Sequence, residues 1–229
     1  MLLKYYQKLD DAISYLSSSF CDEKKLIKSI IKKKDVIYVD VGANQGSYID
    51  YLYSFLNFKQ IYVFEPIPEL CEKIKKNYED SKIKTFNLAL SNECKKKKFY
   101  QYEISSQSGL NEQNNMFKSL KKLNKKYLVQ TDKFDNIFDS FKKIDFCKID
   151  VQGEDLKVLK GMRFNLSKKT IRLIKIEILF MNIYKNVEPN FYQIIEFMKK
   201  NGYILVSISK IKFKDNKILF MDAFFEPLK

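Results

Sequence analysis

Residues 38–46 read YVDVGANQG, a β-branched and aromatic run that ends on Asp40 and opens into a loop holding Gly42, Ala43 and Gly46. Small residues there let a ligand approach the backbone closely and permit a positive φ. The spacing matches neither the G-x-G-x-x-G of a dinucleotide fold nor the G-K-[ST] of a triphosphate loop. A second apolar run, IYVFE, ends on Glu65, a carboxylate able to accept both hydroxyls of a ribose. Loop and acid together fit an adenosine-bearing ligand without a pyrophosphate. S-adenosylmethionine answers that description, with Asp40 and the loop by its amino-acid part and Glu65 on its ribose. The chain contains no histidine, which removes His-based triads, His metal ligands and a histidine general base. Its cysteines (Cys21, Cys71, Cys94 and Cys147) form no C-x-x-C pair, so neither a zinc ribbon nor a disulfide framework is expected.

The elements that must position these residues alternate. Residues 36–41 and 61–65 read as buried parallel strands, since both are continuously apolar. Between them Ser47 to Leu56 has helical spacing, and a helix over 68–79 begins at Pro68. A strand follows at 83–90. Residues 97–131 break the rhythm as an insertion, with a strand-like KKFYQYEI, a polar loop from Ser105 to Asn111 long enough to cover a substrate, and YLVQT. The pattern resumes with DFCKID (145–150), a helix over 154–161, a strand over 171–179, a helix over 190–200 and a strand over 203–209. Asp215-Asn216 then turns the chain into a return strand. This order predicts a doubly wound α/β sheet with a terminal antiparallel hairpin. Residues 1–34 read as two basic amphipathic segments, an N-terminal helical extension, and no domain boundary divides residues 1–229.

Hydrophobic residues at 45% and charged ones at 31% indicate a packed core rather than disorder. No apolar run reaches the roughly 18 residues of a membrane helix. Asp10 and Asp11 interrupt what would otherwise be a signal peptide, so a cytoplasmic location is expected. The formal charge is +14, yet Arg163 and Arg172 are the only arginines. Base reading and bidentate phosphate clamping favour arginine, so nucleic acid is disfavoured as a partner. The runs 24–34 and 95–98 read as solvated lysine-rich faces.

Five ordered blocks, VDVGANQGSY, VFEPIPE, FNLALSN, KIDVQGEDLKVLKGM and IKIEI, resemble the FkbM family of S-adenosylmethionine-dependent methyltransferases over roughly residues 36–180. The resemblance implies the class I methyltransferase (Rossmann-like) fold with a mostly parallel seven-stranded sheet. It also implies O-methylation of a sugar hydroxyl, on a nucleotide sugar or a glycan precursor for polysaccharide biosynthesis, where a phosphate-bearing acceptor would suit the lysine surplus. By position, Asp40, Gly42, Ala43, Asn44 and Gly46 belong to the cofactor loop, Glu65 to the ribose and Ala89 to the adenine edge. Asp150 and Glu177 match acidic positions ending later strands. Where many members read D-V-E-G-x-E, this chain has Asp150-Val151-Gln152-Gly153-Glu154-Asp155, which puts roles at 152 and 155 in question.

Methyl transfer to a hydroxyl needs an aligned oxygen and a destination for its proton. Without histidine the candidates are carboxylates, lysines and tyrosines. Asp150 and Glu177, on adjacent strands, are expected to converge at the mouth of the site. There they would hold Mg²⁺ or Mn²⁺, or Asp150 would act alone as a general base. The alternatives are an RNA ribose methyltransferase and a catalytically inactive basic binding module on the same fold. Base N-methylation is disfavoured by the absence of a Pro-Pro pair after Asp150, and an NAD-dependent dehydrogenase by the loop spacing.

Overall fold

A strand apolar on both faces is stable only inside a sheet covered on both sides. In the computed structural model, VIYVDV and FKQIYVF become β1 (Val36–Val41) and β2 (Phe58–Phe64), paired in parallel. The structure describes residues 22–78, 82–114, 122–138 and 142–228. The amphipathic helix expected over residues 1–20, and Cys21, lie outside them. Helix α1 (Glu23–Ile30) starts at Asp22, whose carboxylate accepts the Lys25 N–H at 3.1 Å. Such a cap contributes about 1 kcal/mol. Helix α2 (Ser47–Tyr53) buries Ile49 and Leu52. Helix α3 (Pro68–Asn77) begins at Pro68 as expected.

The expected strand over 83–90 is in fact two. β3 (Ile83–Phe86) continues the large sheet beside β2, whereas β4 (Ala89–Leu90) belongs to a smaller one. The Asn87 side chain, between them, donates to the Glu65 carbonyl oxygen at 3.0 Å and so ties the break to the end of β2. β5 (Lys96–Tyr102) and β6 (Leu123–Asp132) form an antiparallel pair, giving a three-stranded sheet in the order β4-β6-β5.

After α4 (Phe134–Ile137) come β7 (Ile144–Ile149), α5 (Asp155–Gly161), α6 (Arg163–Ser167), β8 (Ile171–Leu179), α7 (Phe191–Lys200), β9 (Tyr203–Lys214) and β10 (Lys217–Pro227). Helices α4 and α6 span four and five residues, too short for a helical period to stand out in the sequence. The hairpin turn has positive φ at both Asp215 (48°) and Asn216 (59°), the backbone of a two-residue turn that follows strand twist.

The large sheet runs β3-β2-β1-β7-β8-β10-β9, with β10 antiparallel to both neighbours. Sequence order reverses between β1 and β7, and ligands of such sheets bind beyond the strand ends at that crevice. One core, including Val39, Phe64, Cys147 and Ile174, fills one side of the sheet. A second, including Tyr38, Ile49, Phe146, Leu173 and Phe224, lies under α1 and α2. Full burial of a side chain the size of Phe146 contributes about 2–3 kcal/mol. Among the described residues no helix is long and apolar enough to cross a membrane.

Candidate functional site

The end of β1 and the end of β2 are joined by one carboxylate. Glu65 Oε2 accepts the Asn44 N–H at 2.7 Å and Oε1 accepts the Ile67 N–H at 2.8 Å. Gly42 and Ala43 donate their N–H groups to the Phe64 carbonyl at 3.0 and 3.3 Å. Gly42 has φ +81°, and a Cβ there would stand 2.0 Å from the Asp150 carbonyl oxygen. No other residue type fits that contact. Gly46, at φ 85°, is the N-cap of α2. Burial pushes the Glu65 carboxyl up to about 7, against the opposing pull of the Ile67 and Asn44 N–H groups.

A cavity of about 260 Å³ opens here. Gly42, Ala43, Asn44, Glu65 and Ala89 line it, together with apolar Ile67, Leu88 and Leu90. Asp40 and Gly46 do not reach its wall. Asp40 is fully buried and stands behind Lys148, whose Nζ lies 3.1 Å from Asp40 Oδ1 and 3.1 Å from the Gly42 carbonyl oxygen.

Strand register builds the far end. Asp40 pairs with Lys148, Lys148 with Lys175, and Lys175 with Phe224, a row across β1, β7, β8 and β10. Two residues further along β8, on the same face of the sheet, Glu177 pairs with Asp222. Lys175 Nζ lies 2.9 Å from Glu23 Oε1 and 3.0 Å from Asp222 Oδ2. The Tyr48 hydroxyl also donates to Glu23, and its ring lies under the Lys175 ammonium at 4.4 Å. Burial opposes the charge on Lys148, but Asp40 and Asp150, with Nζ 3.7 Å from Asp150 Oδ2, hold its pKa above the ordinary lysine value. Lys148, Lys175, Tyr48, Asp222 and Lys210 all line the cavity.

None of these five is singled out by motif. The available signal was a lysine interrupting an otherwise apolar strand, in DFCKID and again in RLIKIEIL. In a chain of 42 basic residues it does not stand out.

Asp150 lines the cavity, but Glu177 does not. The expected convergence of the two carboxylates at the mouth is therefore corrected. They meet through Gln152, whose Nε2 lies 2.7 Å from Asp150 Oδ1 and 3.4 Å from Glu177 Oε2. Tyr184 donates to the Gln152 side-chain oxygen and fixes which way the amide faces. Burial, followed by the charges of Asp150, Asp155 and Asp222, raises the Glu177 pKa well above the usual carboxylate range. An amide donor thus stands where a cation shared by these carboxylates would sit. Among the described residues no group of three or more His, Cys, Asp or Glu side chains is arranged for a metal. The donor set does not fit Mg²⁺ or Mn²⁺. Asp155 has a plain structural task. It accepts the Val151 and Gly153 N–H groups at 3.3 and 3.1 Å, closing the loop in which Gln152 and Gly153 take positive φ.

The polar loop after β5 also reaches the cavity. Ser105 Oγ donates to Asn44 Oδ1 at 2.7 Å, and Ser105, Ser108 and Gly109 line the wall. Beyond them Gln113 bridges Tyr184, and the Lys185 N–H donates to the Glu112 carbonyl at 2.7 Å. The loop and the segment around Tyr184 together roof Gln152.

No curated protein sequence matches the chain. Among solved structures it is similar to the FkbM methyltransferase of Methylobacillus flagellatus KT, at 15% identity and TM-score 0.55 over 83% of this chain and 44% of that one. It thus spans less than half of that relative's length. It is also similar to an rRNA methylase from Streptococcus thermophilus, at 10% identity and TM-score 0.50 over 90% of this chain and 94% of that one. Likeness at these identities is likeness of fold, the class I methyltransferase fold. The model of the methyltransferase FkbM domain matches residues 40–205, and the chain belongs to that family.

Proposed function

We propose, from that membership, that the chain is an S-adenosylmethionine-dependent O-methyltransferase acting on a hydroxyl of a sugar, carried by a nucleotide sugar or a glycan precursor. The observation that carries this reading is one cavity lined by Glu65, the Gly42–Asn44 loop and Asp150. The Gly42 cradle, closed to any Cβ, suits a cofactor laid against backbone.

Bound there, S-adenosylmethionine would supply an electrophilic methyl group to the acceptor oxygen, its sulfonium leaving as a neutral thioether. Glu65 would accept the ribose hydroxyls with the lone pairs that Asn44 and Ile67 leave free. Leu88 and Ala89 would give the adenine an apolar wall. Asp150 takes the proton that the acceptor oxygen loses. The Gln152 amide orients Asp150, and Lys148 joins Asp150 to the cofactor loop through the Gly42 carbonyl. Asp40 acts on the cofactor only through Lys148, and Glu177 anchors Gln152 without touching the reacting atoms.

The test is transfer of labelled methyl groups from S-adenosylmethionine to a panel of nucleotide sugars, with total RNA as the competing acceptor. Label on a sugar oxygen supports the reading, and label confined to RNA ribose replaces it. That second reading is favoured by the charge of +14.

A further inference from the structure

Three lysines, Lys148, Lys175 and Lys210, line the cavity. Two are engaged by buried acids, Lys148 by Asp40 and Lys175 by Glu23 and Asp222. Lys210 is different. Among the described residues no carboxylate lies within ion-pair distance of it, although its charge acts on Asp222 and Glu177, and its Nζ rests 5.7 Å from the centre of the Phe220 ring.

Its place on the wall is the work of a β-bulge. In the β9–β10 ladder Ser209 pairs with Asp222 and Lys212 with Phe220, so Lys210 and Ile211 together face Met221 alone. Lys210 takes φ 47°, a left-handed conformation that L side chains seldom adopt. A bulge of this kind re-aims a side chain, and bulges gather beside binding sites for that reason. Without the extra residue, strand alternation would set a different side chain at this point of the wall.

We propose that Lys210 receives an anionic group, a phosphate or a carboxylate, carried by the methyl acceptor. The inference rests on the methyltransferase reading above and adds the acceptor's charge to it. Asp150 and Asp222 also line the cavity, with Glu177 paired to Asp222 across the sheet. A bare anion would meet their repulsion, so the site selects one held at a distance from the hydroxyl that is methylated. A lysine suits that task as a long, mobile point charge that follows the ligand.

The experiment uses the full chain saturated with S-adenosylhomocysteine, titrated in separate arms with glucose, glucose 6-phosphate and glucuronate at constant ionic strength. At least tenfold tighter binding of one charged sugar than of glucose is expected, and the arm that shows it tells phosphate from carboxylate. Lys210→Met should abolish that preference and Lys210→Glu should reverse it, both with S-adenosylhomocysteine affinity unchanged. Equal binding of all three sugars by the parent protein, or a preference that survives in Lys210→Met, would overturn the assignment. Failure of S-adenosylhomocysteine itself to bind would instead strike the methyltransferase reading.

Discussion

The Glu65 end of the cavity is lined by the Gly42–Asn44 loop and the segments that follow β2 and β3, while the Asp222 end is lined by residues of β7, β8, β9 and β10. The first end is set by a few consecutive residues, with Gly42 pressed against the Asp150 carbonyl and one carboxylate bridging two loops. The second depends on register among strands far apart in sequence, so that Asp40, Lys148 and Lys175 fall in one row. Backbone ends of this kind can serve any ligand that shares a common part. Side-chain ends can change acceptor with a few substitutions. Lys148 belongs to both, bonding the Gly42 carbonyl and the Asp40 carboxylate while standing 3.7 Å from Asp150.

The sharpest way to break this division is Asp150→Asn. Turnover is expected to fall by about 10²–10⁴-fold, the usual contribution of a general base, while S-adenosylmethionine affinity stays within about tenfold. Single-turnover methyl transfer and calorimetry check the two halves of that statement. An equal loss of cofactor affinity would show that the two ends are one unit.

Lys148→Met tests the joint between them. It strands a fully buried Asp40 without its cation, and urea denaturation should show a loss of about 3–5 kcal/mol, as for other broken buried pairs. The double variant Asp40→Asn with Lys148→Met should recover most of it. A single-variant loss below about 1 kcal/mol would mean that the pair does not hold the two ends together.

A smaller effect belongs to the cofactor end alone. The Glu65 carboxyl titrates near 7, and only its ionised form accepts both ribose hydroxyls. Protons therefore compete with the cofactor. Affinity should fall by up to about tenfold per pH unit below 7 and level off above it, and Glu65→Gln should flatten the profile. A wild-type profile flat between pH 5.5 and 8 would take Glu65 out of ribose binding.

The contrast also explains what could be read from the chain. VDVGANQG and VFEP are contiguous, so their loop and acid stand out by type and spacing. The order of strands and helices, and the Asp215-Asn216 turn, follow from periodicity and turn chemistry. Lys148, Lys175 and Asp222 acquire their roles only when three strands come into register, and no local pattern encodes that register. The Lys210 bulge is set by two residues opposing one across a hairpin. Gln152 misleads for a related reason. As a single letter it reads as a missing carboxylate, whereas in the fold its amide joins Asp150 to Glu177. The divided strand at 83–90 escaped because Asn87 leaves the sheet through a side-chain bond to Glu65, a partner 22 positions away.

Calorimetric titration of the wild-type chain and of Glu65→Ala, with NAD⁺ as the competing ligand, decides whether the Glu65 end holds S-adenosylmethionine. The expected result is a Kd in the micromolar range for S-adenosylmethionine, no heat with NAD⁺, and a loss of about 100-fold in Glu65→Ala from two missing charge-assisted hydrogen bonds. Binding of NAD⁺ in its place, or an affinity unmoved by Glu65→Ala, would contradict it.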